Sequence, residues 1–195
     1  MLSLKNSLVV LKKTKALLEG HFILSSGLHS SKYIQCAKLL SNPKISKDFC
    51  ISLCKKIKRK YKNIDLILAP AIGGIVIGYE IGRLLNKETI FCERVSGKFV
   101  LRRGFNIKKN SRVLIVEDVI TTGKSSLECV KLIKKSRAKL AGFACIIDRS
   151  SKKSLKIKNK IVSQIKIKVP TYSLKNIPEK LRLIPIEKPG SRHIK

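Results

Sequence analysis

The stretch "RVLIVEDVITTGKSS", Arg112 to Ser126, decides how this chain folds. Val113 to Val116 is an unbroken apolar run. It ends in two adjacent acids and then in Thr121-Thr122-Gly123-Lys124-Ser125. A short apolar run bounded by polar and turn residues is the pattern of a strand buried on both faces of a parallel sheet. The residues from Ser125 to Ser136 follow as a helix. Between strand and helix, backbone N–H groups and hydroxyls can close around one phosphate, helped by the positive end of the helix. Glu117 and Asp118 would repel a phosphate but accept hydrogen bonds from vicinal hydroxyls. A ribose 5-phosphate answers both demands. The plain alternative, a strand–turn–helix with a capping Thr, leaves two acids at a buried strand end without a task.

"TGKSS" invites comparison with the triphosphate-binding P-loop. That motif needs a Gly five residues before its Gly-Lys-Ser/Thr. The residue at that place is Asp118. A carboxylate inside a triphosphate cradle is repulsive, so ATP hydrolysis is set aside.

Working outward, "IDLILAPAIGGIVIGYEIGRLL" reads as a buried strand over Ile64–Ala69, a Gly73-Gly74 turn and a helix. "ETIFCERVSG" is a second strand with a polar end, and "LAGFACIIDRS" a fourth after Val113–Val116. "FVLRRGFNIKKNS" reads as a basic, mobile segment. "KISKDFCISLCKKIKRKY" sets Phe49, Leu53 and Ile57 at helical spacing. Near the start, Leu4, Leu8, Leu11 and Leu18 suggest one amphipathic helix, and "GHFILSSGLHSSKYIQCAKLL" a small hairpin, or hood, turning at Gly27. The tail after Val169 holds four of the six prolines and is expected to wrap the surface. Strands alternating with helices imply an α/β fold with a mostly parallel central sheet flanked by helices. Such sheets bind ligands at the carboxyl ends of their strands. The polar residues sit there: 71–74, Glu93-Arg94, Glu117-Asp118 and Asp148-Arg149.

At 195 residues and 44% apolar composition the chain is one buried domain. No apolar run approaches the roughly 20 residues of a membrane span. The six cysteines include no C-x-x-C pair, so reduced buried thiols in a cytoplasmic protein are expected rather than a zinc site or disulfide framework. Formal charge is +31, from 33 Lys and 10 Arg against 12 acids, beside 26 Ile. Lysine is dispersed rather than blocked and aromatics are few, which is a compositional bias more than a nucleic-acid footprint. The field still attracts anionic substrates.

"VLIVEDVITTGKSS" resembles the phosphoribosyl-diphosphate (PRPP) signature of the type I phosphoribosyltransferases. Taken with "EGHFILSSGLHSSKYIQ", "LAPAIGGIVIG", "FCERVSGKFVLRRGF" and "CIIDRS", which fall in that family's order over roughly Glu19 to Ser150, the chain resembles the orotate phosphoribosyltransferases, and its "PGSR" tail resembles a shorter bacterial branch of them. The resemblance implies a single domain over 1–195. Its hood would come mainly from about 1–40 with the C-terminal tail, and its core from about 45–150. It implies transfer of the 5-phosphoribosyl group of PRPP to orotate, with Mg²⁺ held mainly through PRPP and water, a cytoplasmic location, and a homodimer whose basic loop is shared between subunits. Glu117, Asp118, Val119, Ile120, Thr121, Thr122, Gly123, Lys124 and Ser125 would hold PRPP. Thr121 and Arg149 would meet orotate, beneath a hood that includes Ser26, Gly27 and Tyr33. The turn at 71–74 would offer N–H groups to the diphosphate, and Arg94 and Lys98 would act on it as catalytic cations. Arg102 and Arg103 are open between that task and solvated strand charges. Ser25 and Ile72 stand where many members carry lysine, and "ERVSGK" replaces the usual lysine-rich loop. A purine phosphoribosyltransferase and a non-catalytic PRPP-sensing regulator remain rival readings.

Overall fold

The computed structural model describes residues 2–24, 27–151, 155–158 and 161–189. Helix α1 (Leu4–Lys13) is capped by Ser3, whose Oγ accepts from the Asn6 amide at 3.1 Å. Leu18, expected on this helix, instead lies in strand β1 (Leu17–Ile23), which turns back into β2 (His29–Ile34). After α2 (Cys36–Leu40) comes α3 (Pro43–Lys60), with Asn42 as N-cap and Pro at the first position, where its missing N–H costs nothing.

The central sheet then forms. β3 (Leu66–Pro70) leads into α4 (Gly73–Leu85), so Gly73 and Gly74 open the helix and the turn itself is Ala71-Ile72. β4 (Glu88–Val95) and β5 (Lys98–Leu101) make a hairpin around Ser96-Gly97, both at positive φ. The basic segment read as mobile therefore begins as a paired edge strand. A two-residue turn of this hand matches the twist of the strands it joins. β6 (Arg112–Ile120), α5 (Lys124–Lys135), β7 (Lys139–Asp148) and β8 (Ile161–Lys166) complete the layer. Strand order is β5-β4-β3-β6-β7-β8, all parallel except β5. β8 was not anticipated from sequence.

The unbroken apolar runs follow from burial on both faces. Along β6, Leu114 and Val116 pack with Phe49, Leu53 and Ile57 of α3 and Ile77 and Ile81 of α4. Val113 and Ile115 face the other way, toward Cys129 and Ile133 of α5. Each such side chain, removed from water, stabilises the fold by about 1.5–3 kcal/mol.

A second sheet forms the hood. β9 (Thr171–Tyr172) pairs with β2, and β10 (Ile186–Glu187) with β1, in the order β10-β1-β2-β9. A short 3₁₀ turn (Leu174–Asn176) and helix α6 (Glu179–Arg182) connect them. The tail thus closes both edges of the hairpin. The imidazoles of His21 and His29 meet at 2.7 Å inside this sheet, and His21 Nδ1 lies 3.3 Å from the Ile184 carbonyl.

Candidate active site

β3, β4, β6 and β7 end together at the carboxyl edge of the central sheet, at Pro70, Val95, Ile120 and Asp148. Register brings the polar ends side by side: Pro70 opposite Cys92, Glu117 opposite Cys145, Ile120 opposite Asp148.

Glu117 is buried at the end of β6 and accepts a hydrogen bond through Oε1 from Ser126 Oγ, in the first turn of α5. Burial pushes the Glu117 carboxyl up to about 7. The Asp118 carboxylate adds to this, while the Ser126 hydroxyl and amide oppose it. Asp118 is raised as well, mainly by burial, against the pull of the backbone amides of Val119 and Asp118 itself. Its Oδ1 accepts from the Val119 amide at 2.8 Å.

Two glycines set this geometry. A Cβ on Gly73 would lie 2.7–2.8 Å from all three carboxylate atoms of Asp118, so only glycine lets the β3–α4 turn approach the acid this closely. Gly123 has φ +74°, and a Cβ there would come within 2.6 Å of Ile157. It occupies the N-cap of α5 and brings no side-chain cap. Thr121, Thr122 and Lys124 are exposed at this turn, with Ser125 half-buried. Thr122 Oγ1 accepts from the Lys124 amide at 3.3 Å, and the Thr122 carbonyl from the Lys156 amide at 3.0 Å. The result is a tied-down turn with hydroxyls and a helix N-terminus facing outward, suited to a single phosphate. Val119 is half-buried; Ile120 is buried, and its carbonyl accepts the Arg149 amide at 2.8 Å.

Arg149 is therefore stitched to the same loop. It is half-buried, and its Nε is buried without a hydrogen-bond partner. Burial lowers the guanidinium from its usual range, offset in part by Tyr33 and Cys36. Asp148 does not neutralise it: that carboxylate pairs with Lys166 Nζ at 3.0 Å and accepts from the Ser150 amide at 2.8 Å. A cation set beside the hood's Tyr33 with a donor to spare is a site for an anion.

The two cations expected over a leaving diphosphate differ. Lys98 is exposed at the start of β5. Arg94 is engaged within the chain: 2.9 Å from Glu128 of α5, donating to the Gly97 carbonyl, and 4.2 Å from the centre of the Phe99 ring. Arg103 forms a two-point pair with Glu93 at 2.9 and 3.1 Å. Ile72, where a lysine was looked for, is 86% exposed. Ser25, Ser26 and the Gly-Ser-Arg of the tail lie outside the described residues. Ser126 was missed from sequence. Its place three residues after the N-cap, where an amide seeks an acceptor, is the signal that could have found it.

The phosphoribosyl transferase domain model matches residues 37–176. The orotate phosphoribosyltransferase of Parvibaculum lavamentivorans is 47% identical over 94% of this chain and 94% of its own length. That of Helicobacter acinonychis is 49% identical over 71% of this chain and 69% of its own. Among solved structures, the orotate phosphoribosyltransferase of Aeropyrum pernix superposes with a TM-score of 0.69 at 23% identity, covering 82% of this chain and 92% of that one. An adenine phosphoribosyltransferase from Thermoanaerobacter pseudethanolicus reaches 0.59 at 19% identity, covering 70% and 88%. At those identities the structures speak for the shared fold; the sequence matches carry the rest, and by them the chain belongs to the orotate phosphoribosyltransferase family.

Proposed function

We propose that the chain transfers the 5-phosphoribosyl group of PRPP to orotate, releasing diphosphate and orotidine 5′-monophosphate in pyrimidine synthesis. One observation carries the reading. Glu117 and Asp118, the phosphate-sized turn after them and the half-buried Arg149 meet at one sheet edge, where Glu117 accepts from Ser126 at the start of α5 and the Arg149 amide donates to the Ile120 carbonyl. In this arrangement the turn 121–125 takes the 5-phosphate, and Glu117 and Asp118 accept the ribose hydroxyls. Thr121 and Arg149 receive orotate, the guanidinium pairing with its carboxylate. The 71–74 turn supplies backbone donors to the diphosphate.

Displacement at the anomeric carbon builds positive charge on the sugar and negative charge on the leaving group. The chain's part is to hold orotate N1 in line with that carbon and to surround the departing diphosphate with fixed positive groups. Lys98 is exposed for that task. Arg94 would first leave Glu128. Among the described residues no cluster of three or more His, Cys, Asp or Glu side chains gathers around a metal-sized space. Mg²⁺ would enter with PRPP, held by its diphosphate oxygens and water, where it would screen the leaving group's charge.

The homodimer belongs to the same proposal. Val76 and Tyr79 stand exposed on α4 beside a cleft of about 350 Å³, also lined by Leu40, Pro43 and Cys50. Exposed apolar side chains beside a groove that also carries the Glu80–Arg83 pair suit a second copy, and the shared basic loop would bring Lys98 to the neighbour's site. All six cysteines are buried and free, and no helix among the described residues is long and apolar enough to cross a membrane. The buried, free thiols suit the reducing conditions of a cytoplasm.

The test is loss of orotate absorbance with PRPP and Mg²⁺, run in parallel with adenine, hypoxanthine and guanine. Consumption of orotate alone supports the reading. Turnover of a purine in its place would refute it.

A further inference from the structure

Glu117 does two things at once, and the second has a consequence for the first. Helix α5 starts at Gly123 without a side-chain cap. A helix start leaves its first amides in want of acceptors, and a carboxylate placed there is favoured by the helix dipole. Glu117, reaching from β6, supplies it: Oε1 accepts from Ser126 Oγ, and the Ser126 amide also favours the ionised carboxylate. Ser126 is fully buried and Glu117 only 8% exposed, so water is a poor substitute for either partner.

We propose that Ser126 is a positioning residue for PRPP recognition: its hydroxyl fixes Oε1 of Glu117 against α5 and so presents the second carboxyl oxygen, Oε2, to the ribose hydroxyls. This rests on reading Glu117 as a ribose acceptor. The terminal torsion of a glutamate is broad and roughly two-fold, so without an anchor the carboxyl plane is not set by its own rotamer. One oxygen held by α5 defines where the other stands. The same contact couples the sugar subsite to the phosphate subsite, since Ser126 follows directly on the turn 121–125.

Among the described residues no other side chain donates a hydrogen bond to Glu117. The titratable groups that act on it are Asp118 on its own strand, Cys129 from α5 and Cys145 from β7, none of them a cation. Ser126 is thus the donor that keeps a buried, acid-flanked carboxyl able to ionise. Losing it removes the orientation and raises the pH at which Glu117 ionises.

A double-mutant cycle tests this. Ser126→Ala, Glu117→Gln and the double variant are compared by steady-state kinetics from about pH 6 to about pH 9. Ser126→Ala is expected to raise the PRPP KM about tenfold, the worth of one hydrogen bond to a charged group, with the orotate KM moving less than about twofold. Its acidic limb of kcat/KM for PRPP should move to higher pH, and Ser126→Thr, which keeps the hydroxyl, should restore the limb. In the Glu117→Gln background Ser126→Ala should add nothing. Equal losses in both backgrounds, or a loss shared equally by orotate, mean that Ser126 only packs the helix and overturn the proposal. If Ser126→Ala melts too early to assay, Ser126→Cys carries the cycle: a weak donor of similar size should give an intermediate, Glu117-dependent loss, and an additive one overturns it. A Glu117→Gln enzyme with unchanged PRPP kinetics overturns the ribose reading itself, and this proposal with it. A Gln effect with no Ser126 effect overturns the proposal alone.

Discussion

Two strand–turn–helix junctions stand side by side at the carboxyl edge of the central sheet, and they are built in opposite ways. The junction from β3 to α4 runs Pro70-Ala71-Ile72-Gly73-Gly74, without a hydroxyl or a charge. The junction from β6 to α5 runs from Glu117 to Ser126 and holds two acids, two threonines, a lysine and two serines. The first can address a ligand only through its backbone. The second addresses it through side chains as well. They are not independent, because Gly73 lies against the carboxylate of Asp118. The missing side chain at Gly73 is what lets the other junction place its acid.

The sharpest way to break this contrast is Gly73→Ala. The added methyl would push on every carboxylate atom of Asp118. A displacement of about 1 Å at a substrate-positioning group can cost about 10²-fold in rate, so kcat/KM for PRPP should fall by roughly that factor or more. Steady-state kinetics at the wild-type level would show that the two junctions do not depend on each other.

Lys98→Ala removes a cation that lies outside both junctions. It should lower kcat by about 10²-fold while PRPP affinity changes little, because the lysine matters most as the diphosphate departs. Calorimetric binding showing lost affinity at unchanged kcat would remove Lys98 from that role. Asp118→Asn, next in size, should raise the PRPP KM about tenfold. Ile72→Ala at the other junction should leave it within about twofold, its side chain being exposed and apolar. If the two substitutions have equal effects, the division between backbone and side-chain recognition fails.

The last effect is on stability, and it runs against activity. Glu117 holds its proton up to about pH 7 in the folded protein, against an ordinary value of 4.5. Between these values the folded chain binds the extra proton, so this group's contribution falls as pH rises and is fully lost above about 7. The loss is of order 3 kcal/mol at most. Glu117→Gln should therefore raise Tm at alkaline pH by a few degrees while impairing PRPP use, and lose that advantage below the ordinary carboxylate range. Thermal melts at both ends of the pH range check it; an unchanged or lowered alkaline Tm contradicts the burial penalty.

Much of the centre was legible in the residues. The four strands read from sequence are β3, β4, β6 and β7, and Phe49, Leu53 and Ile57 do line the buried face of α3. The turn 121–125 and Arg149 were placed at the right strand ends, where the structure brings them together. β5 was misread as mobile because its four residues, Lys98–Leu101, run straight into two arginines and show no clear alternation. The pairing that makes it a strand comes from β4 across the turn. β8 escaped notice because Ile161–Lys166 is mixed in polarity and follows a lysine-rich stretch.

By itself the sequence determined what is local: an apolar run, the acids that end it, and the small residues that must follow before a helix can begin. Those depend on neighbours a few positions away, where periodicity and turn chemistry are direct signals. The tertiary structure alone decided the long-range matters. It closed the hood by pairing His21 with Ile186 and His29 with Tyr172, through strands only two residues long that carry no pattern of their own. It turned Asp148 toward Lys166 and away from Arg149, and it set Ser126 beneath Glu117. The reason is physical: a hydrogen bond between residues far apart in the chain depends on where packing leaves them, and packing is a property of the whole core.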